Sequence, residues 1–254
     1  MHPQKLSLHH VIRPDSGKFQ PAPVLIMLHG YGSDEEDLFS FAPELPEDLF
    51  VISVRAPHRL QPFGYAWYAI NFNAERGKWS DLSQAVASRD TIARFVKEAV
   101  AAYNIDPLRI NLLGFSQGAI LGYALALSFP ERFRTLVALS GYVDQGMLLP
   151  GYRAKDHGKL QVYASHGQLD MVIPPEWAQQ SSHFLSEMQI SHRFEEYPVG
   201  HGGQWGKFRF LPPLAGGKVL IAAGVEQMIE QGKINTQVIF ELVFKQEFTP
   251  VFPV

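Results

Sequence analysis

The 254-residue chain contains no cysteine. That excludes disulfides, thiolate metal sites and a cysteine nucleophile, though it leaves the cellular compartment open. No run approaches the roughly 18 apolar residues that a membrane-spanning helix requires. The first 15 residues are polar, carry the pair His9-His10, and lack the apolar stretch of a secretory signal. Charge of one sign is scarce as well. The net charge of −3 gives no electrostatic case for a nucleic-acid partner or an anionic membrane surface. No internal repeat or low-complexity tract interrupts the chain. The expectation is a cytoplasmic protein without nucleic-acid binding or stable membrane insertion. What the chain does have is 46% hydrophobic residues, enough for a sizeable core in one large domain.

Those residues fall in alternating patterns up to about residue 200. Short, continuous apolar runs at 24–28, 50–54, 110–113, 135–139 and 160–164 read as strands buried on both faces, and 6–13 reads as a first strand. Residues 194–197 form a seventh candidate. Between them, 83–103 has charges spaced among Val86, Ile92, Phe95, Val96, Ala99 and Val100, the pattern of an amphipathic helix. Residues 117–128 are apolar nearly all round, as in a buried helix, and 176–188 follows two prolines as a third helix. Buried strands alternating with helices predict an α/β fold: a mostly parallel sheet covered by helices on both faces. Residues 55–80, rich in aromatics, proline and glycine, fit neither pattern and read as a long functional loop.

One short segment carries chemistry. Gly114-Phe115-Ser116-Gln117-Gly118 has the form G-x-S-x-G, follows an apolar strand and opens an apolar helix. That is the setting of a nucleophilic serine on a strand–turn–helix elbow. Glycines two residues to either side let strand and helix approach without a Cβ clash. The helix N-terminus presents N–H groups and partial positive charge to a developing oxyanion. The plain alternative is a turn whose serine merely caps the helix.

A serine needs a base, and the base needs an orienting acid. In elbow-type hydrolases the chain order is Ser, acid, His. The aspartates after Ser116 are Asp144, Asp156 and Asp170. Asp170 lies just beyond the strand at 160–164, where a site at the carboxyl end of a sheet is expected, and Asp144 is the runner-up. Of the later histidines, His183 and His192 fall in or at the exit of a helix, whereas His201 sits in the flexible Gly200-His201-Gly202 loop. Ser116, Asp170 and His201 are therefore the expected triad. The oxyanion donors are assigned to the backbone N–H groups of Gln117 and of Tyr31, in the glycine-rich turn His29-Gly30-Tyr31-Gly32. His29 is read as structural. His9-His10, His29 and His166 lack a recognisable metal-ligand spacing, so no metal or other cofactor is expected.

His29-Gly30-Tyr31-Gly32, Gly114-Phe115-Ser116-Gln117-Gly118, His166-Gly167 through Asp170-Met171-Val172-Ile173-Pro174, and Gly200-His201 occur in this order. Together with Leu139-Ser140-Gly141-Tyr142, they resemble the carboxylesterase/phospholipase family of α/β-hydrolases, which includes acyl-protein thioesterases. The resemblance spans about residues 20–202. It implies the α/β-hydrolase fold, metal-free hydrolysis of carboxylic esters or thioesters, Ser116, Asp170 and His201 as triad, and Tyr31 and Gln117 as backbone donors. The aromatic stretch 63–72 differs in detail from that of acyl-protein thioesterases, so their lipidated-protein substrates are not carried over. The family also usually ends in one helix soon after its histidine, whereas here 203–254 follows, with a helix expected at 218–230 and a strand at 238–244. This extension is expected to pack on the same domain or to make a homodimer contact, unless it stems from an altered reading frame.

The partner expected is a small-molecule ester. Phe63, Tyr65, Trp67 and Tyr68, with Tyr31, either line an apolar acyl pocket or pack beneath the loop. An apolar pocket with few charges favours short to medium acyl esters over charged substrates. An acyl thioesterase or lysophospholipase is the alternative within the same chemistry. A serine peptidase and a non-catalytic binding protein on a hydrolase scaffold are the remaining readings.

Overall fold

The computed structural model describes residues 2–73 and 77–201. Its centre is a seven-stranded sheet of β1 (His10–Arg13), β2 (Ala22–Leu28), β3 (Phe50–Val54), β8 (Ile105–Phe115), β9 (Thr135–Leu139), β10 (Gln161–Gly167) and β11 (Ser191–Tyr197). The spatial order is β1-β3-β2-β8-β9-β10-β11, with β1 antiparallel to β3 and the other neighbours parallel. Two short hairpins, β4 (His58–Arg59) with β5 (Tyr65–Ala66) and β6 (Ile70–Asn73) with β7 (Gly77–Ser80), lie outside the sheet.

The central strands β2, β3 and β9 are buried on both faces because they are apolar at nearly every position, whereas the edge strand β11 is polar and partly exposed. In β2, Val24, Ile26 and Leu28 enter one core cluster, while Leu25 and Met27 enter another on the opposite face. The first cluster includes residues of α2 (Leu82–Tyr103), α3 (Gln117–Ser128) and α4 (Pro175–Glu187). The second is closed by Leu38 of α1 (Glu35–Phe39) and by Ala42 and Leu45 of the following turn. Helix α2 is bounded by its caps: Asp81 accepts the Gln84 N–H at 3.0 Å, and Asn104 takes a left-handed conformation at the other end. All twelve residues of α3 are buried, which explains its lack of a polar face.

The differences from the sequence-based expectation have local causes. The first strand is four residues rather than eight, because β3 offers partners only from Val54 back to Val51. Residues Leu6 and Leu8 pack against the core instead. Helix α1 was not anticipated, since five residues are too short to display a helical period. The stretch 55–80 is not one loop but the two hairpins. The segment 203–254, with the helix and strand expected in it, lies outside the described residues. Among the described residues, no helix is long and apolar enough to cross a membrane.

Candidate active site

The carboxyl ends of β2, β8, β9, β10 and β11 converge on one edge of the sheet, and the segments leaving them carry the reactive groups. At the end of β8, Ser116 has φ 53° and ψ −117°, a conformation that side chains rarely adopt. Its N–H donates to the Leu139 carbonyl at 2.8 Å, tying the turn to β9. Its side chain makes no capping hydrogen bond to α3, so the plain reading of a helix cap does not describe it. The flanking glycines are there because backbone lies against them. A Cβ on Gly114 would sit 2.4 Å from the Gly118 carbonyl oxygen, and one on Gly118 would sit 2.0 Å from that of Leu28.

His201 reaches this serine from the loop after β11. Its Nε2 lies 2.9 Å from Ser116 Oγ, and its Nδ1 lies 2.7 Å from Asp170 Oδ2. A carboxylate can only accept, so Nδ1 carries the proton and Nε2 is left to accept from the serine hydroxyl. The His201 loop is bound to the Asp170 loop by Leu169 N–H to Val199 O at 3.0 Å and Gln168 N–H to Tyr197 O at 2.7 Å. Asp170 is itself fixed: Oδ1 accepts the N–H groups of Val172 and Ile173 at 2.8 and 2.9 Å. Asp144, the other aspartate considered, caps the turn at Gln145–Met147 through Gly146 N–H at 2.9 Å, and Asp170 is the one that meets His201.

His166 was given no role from sequence. It is buried beneath the acid, and its Nε2 lies 3.0 Å from the Ile173 carbonyl and 3.2 Å from Asp170 Oδ2. It donates to the Ile173 carbonyl, and the same N–H edge lies beside the carboxylate. Its position in the same block as Asp170 was the available signal.

The two residues whose backbone N–H groups were expected as oxyanion donors, Tyr31 and Gln117, line the same cavity as Ser116. Gln117 begins α3, so its N–H is one of the helix's free donors. Tyr31 lies on the turn after β2, which is zipped to the hairpin β4–β5 by Gly32 N–H to Tyr65 O at 2.9 Å and Tyr65 N–H to Ser33 O at 2.8 Å. His29 is buried with Nδ1 2.7 Å from the Gly30 carbonyl, while Nε2 accepts the Ala56 N–H at 3.0 Å. Burial pushes its pKa down, keeping it neutral and able to make that pair of bonds.

A cavity of about 1060 Å³ opens beside Ser116 and His201, bounded by Tyr31, Tyr68, Tyr142, Val172, Ile173 and Trp177 among others. Of the five aromatic side chains expected either to line an acyl pocket or to pack beneath the loop, Tyr31 and Tyr68 line the cavity. Phe63 projects into solvent from the β4–β5 turn, 77% exposed. Tyr65 lies under the Arg55 guanidinium, 4.7 Å from its ring centre. Trp67 is fully buried, and its Nε1–H donates to the His29 carbonyl at 2.9 Å. Tyr65 and Trp67 brace the turn that carries Tyr31, and none of these three lines the cavity. The cavity's other aromatics, Tyr142 after β9 and Trp177 on α4, were not anticipated. Among the described residues, no three metal-ligating side chains cluster.

The arrangement has known counterparts. Residues 9–209 match the family described as phospholipase/carboxylesterase. Acyl-protein thioesterase 1 of Mycosarcoma maydis is 27% identical over 212 residues, covering 74% of this chain and 87% of that protein. The crystal structure of esterase PE8 superposes with a TM-score of 0.65 at 28% identity, covering 78% of this chain and 92% of that one. The Bacillus cereus carboxylesterase shares the fold, with a TM-score of 0.65 at 21% identity over 89% of this chain and 93% of that one. With a family match over most of its length and the same fold, the chain belongs to the phospholipase/carboxylesterase family of α/β-hydrolases and is a carboxylic ester hydrolase.

Proposed function

We propose that the enzyme cleaves carboxylic esters with short to medium acyl chains through an acyl-enzyme on Ser116. The observation that carries this is the continuous hydrogen-bond chain from Ser116 Oγ through His201 to Asp170, at 2.9 and 2.7 Å. His201 Nε2 takes the serine proton as Oγ attacks the ester carbonyl. The tetrahedral oxyanion is received by the N–H groups of Tyr31 and Gln117, where each donor is worth about 10²–10³ in rate. Asp170 holds the tautomer and stabilises the imidazolium. His201 then gives its proton to the departing alcohol, and water repeats the sequence on the acyl-enzyme.

The open, largely apolar cavity supports an acyl chain longer than acetyl. The relatives named acyl-protein thioesterase make thioester cleavage by the same groups the second reading. The test is hydrolysis of p-nitrophenyl esters from acetate to palmitate, together with an acyl thioester, by wild type and Ser116→Ala. Turnover that peaks between butyrate and octanoate and disappears in the variant is the expected result. Turnover that persists in Ser116→Ala would rule out the serine mechanism. A thioester preferred over its oxygen ester would favour the second reading.

A further inference from the structure

The cavity holds one feature that an apolar acyl pocket does not need. Asp144 lines it, and only one of its oxygens is engaged with the turn it caps, Oδ1 accepting Gly146 N–H. No lysine or arginine is among the described residues lining the cavity. Around the carboxylate stand aromatic side chains. Tyr68 and Tyr142 line the cavity with it, and both feel its charge. Tyr142 packs edge-on against Trp177, with ring centres 4.8 Å apart. Trp177 and Tyr142 both line the same cavity.

A half-buried carboxylate without a counter-charge is costly. Here burial pushes the Asp144 carboxyl up, against the Gly146 N–H that pulls it down. A ligand cation placed between this carboxylate and the aromatic rings would offset that cost twice: once by direct charge pairing and once by cation–π attraction, which is strongest at tryptophan. An alkylated ammonium suits the place better than a primary amine, because its apolar surface matches the rings and it surrenders less hydration. An anionic group would meet Asp144 with no lysine or arginine among the described cavity-lining residues to receive it.

We infer that this enzyme prefers esters carrying an alkylammonium group, which Asp144, Tyr142 and Trp177 hold while Ser116 attacks the carbonyl. The inference rests on the proposed serine-esterase reading and names the substrate class of that same cavity. It replaces the expectation of uncharged substrates, which rested on the aromatic run at 63–68 and could not foresee that Asp144 faces the cavity.

The test uses isosteric pairs that differ in charge but not in shape. Butyrylcholine is compared with 3,3-dimethylbutyl butyrate, which puts the charge on the alcohol side. Ethyl 4-(trimethylammonio)butyrate is compared with ethyl 5,5-dimethylhexanoate, which puts it on the acyl side. In at least one pair the wild type should favour the cation by about tenfold or more in kcat/KM, chiefly through KM. Asp144→Asn should bring that ratio close to one, the cationic and neutral ester of each pair being compared within the same variant. Asparagine caps a turn as well as aspartate does, so a purely structural Asp144 would leave the ratio where it was. Equal rates within both pairs in the wild type, or a preference that survives Asp144→Asn, would overturn the cation site alone. Failure of the wild type to hydrolyse even the neutral esters would overturn the esterase reading and this inference with it.

Discussion

The Gln117 carboxamide clasps the backbone at Trp67: its Oε1 accepts the Trp67 N–H, and its Nε2 donates to the next carbonyl, that of Tyr68, each at 2.8 Å. One residue thus does two jobs. Its main chain begins the helix that follows Ser116, and its side chain fixes the segment that carries Tyr68 into the cavity. Gln117→Ala leaves a buried N–H and a buried carbonyl without partners. The expected loss in melting temperature is roughly 5–15 °C. A melting temperature within about 1 °C of wild type would show that the clasp contributes nothing.

His166 acts through Asp170 and is a positioning residue. His166→Ala should lower kcat on the order of tenfold with little change in KM, because the buried ring that packs beside Asp170 Oδ2 at 3.2 Å and ties down the Ile173 carbonyl is lost. His166→Gln places an amide N–H near the former Nε2 and should restore most of the rate. If glutamine restores nothing, or if both variants lose KM and kcat together, the polar N–H beside Asp170 is not what matters.

Gly118 lies directly against the Leu28 carbonyl oxygen, which is rigid backbone. Gly118→Ala should cost about 1–3 kcal/mol or more, or prevent folding altogether. Gly122, one turn further along α3, is the comparison: a Cβ there meets only the Cδ1 of Leu136 at 2.8 Å, the end of a flexible side chain. Gly122→Ala should be much better tolerated. Equal thermal shifts for the two would contradict the close approach of α3 to β2.

Stability should fall on mild acidification. Burial pushes the pKa values of both His10 and His29 below the ordinary value near 6.5. The folded protein therefore keeps them neutral, while the unfolded chain begins to take up protons as pH drops through 6.5. Their contribution is fully present above about pH 6.5 and is lost as pH falls through the depressed folded values, at up to about 1.4 kcal/mol per pH unit per histidine. A melting temperature that stays flat from pH 8 to pH 5 would contradict this.

Much of the framework was legible because it depends on neighbours in sequence. The boundaries of α3 follow from a continuous apolar run ended by Phe129-Pro130, and α2 was placed to within one residue by its spacing of apolar side chains. The order Ser116, Asp170, His201 could be chosen because an elbow and two strand-end loops have recognisable local forms. The aromatic stretch could not be apportioned in the same way. Phe63, Tyr65, Trp67 and Tyr68 are chemically alike, yet one is exposed, one lies under an arginine, one is buried against His29 and one reaches the cavity.

The sequence by itself determined the parallel α/β sheet, the serine elbow and the residues able to act on one another, since periodicity and turn chemistry are written in short windows. Only the tertiary structure decided which side chains meet. The 2.7 Å contact of His201 with Asp170 spans 31 positions, and the Gln117 clasp on Trp67 spans 50. Those contacts, and the exposure of Asp144 to the substrate cavity, depend on how strand-end loops converge at one edge of a sheet. That convergence is set by strand order, a property of the whole domain that no local stretch of residues contains.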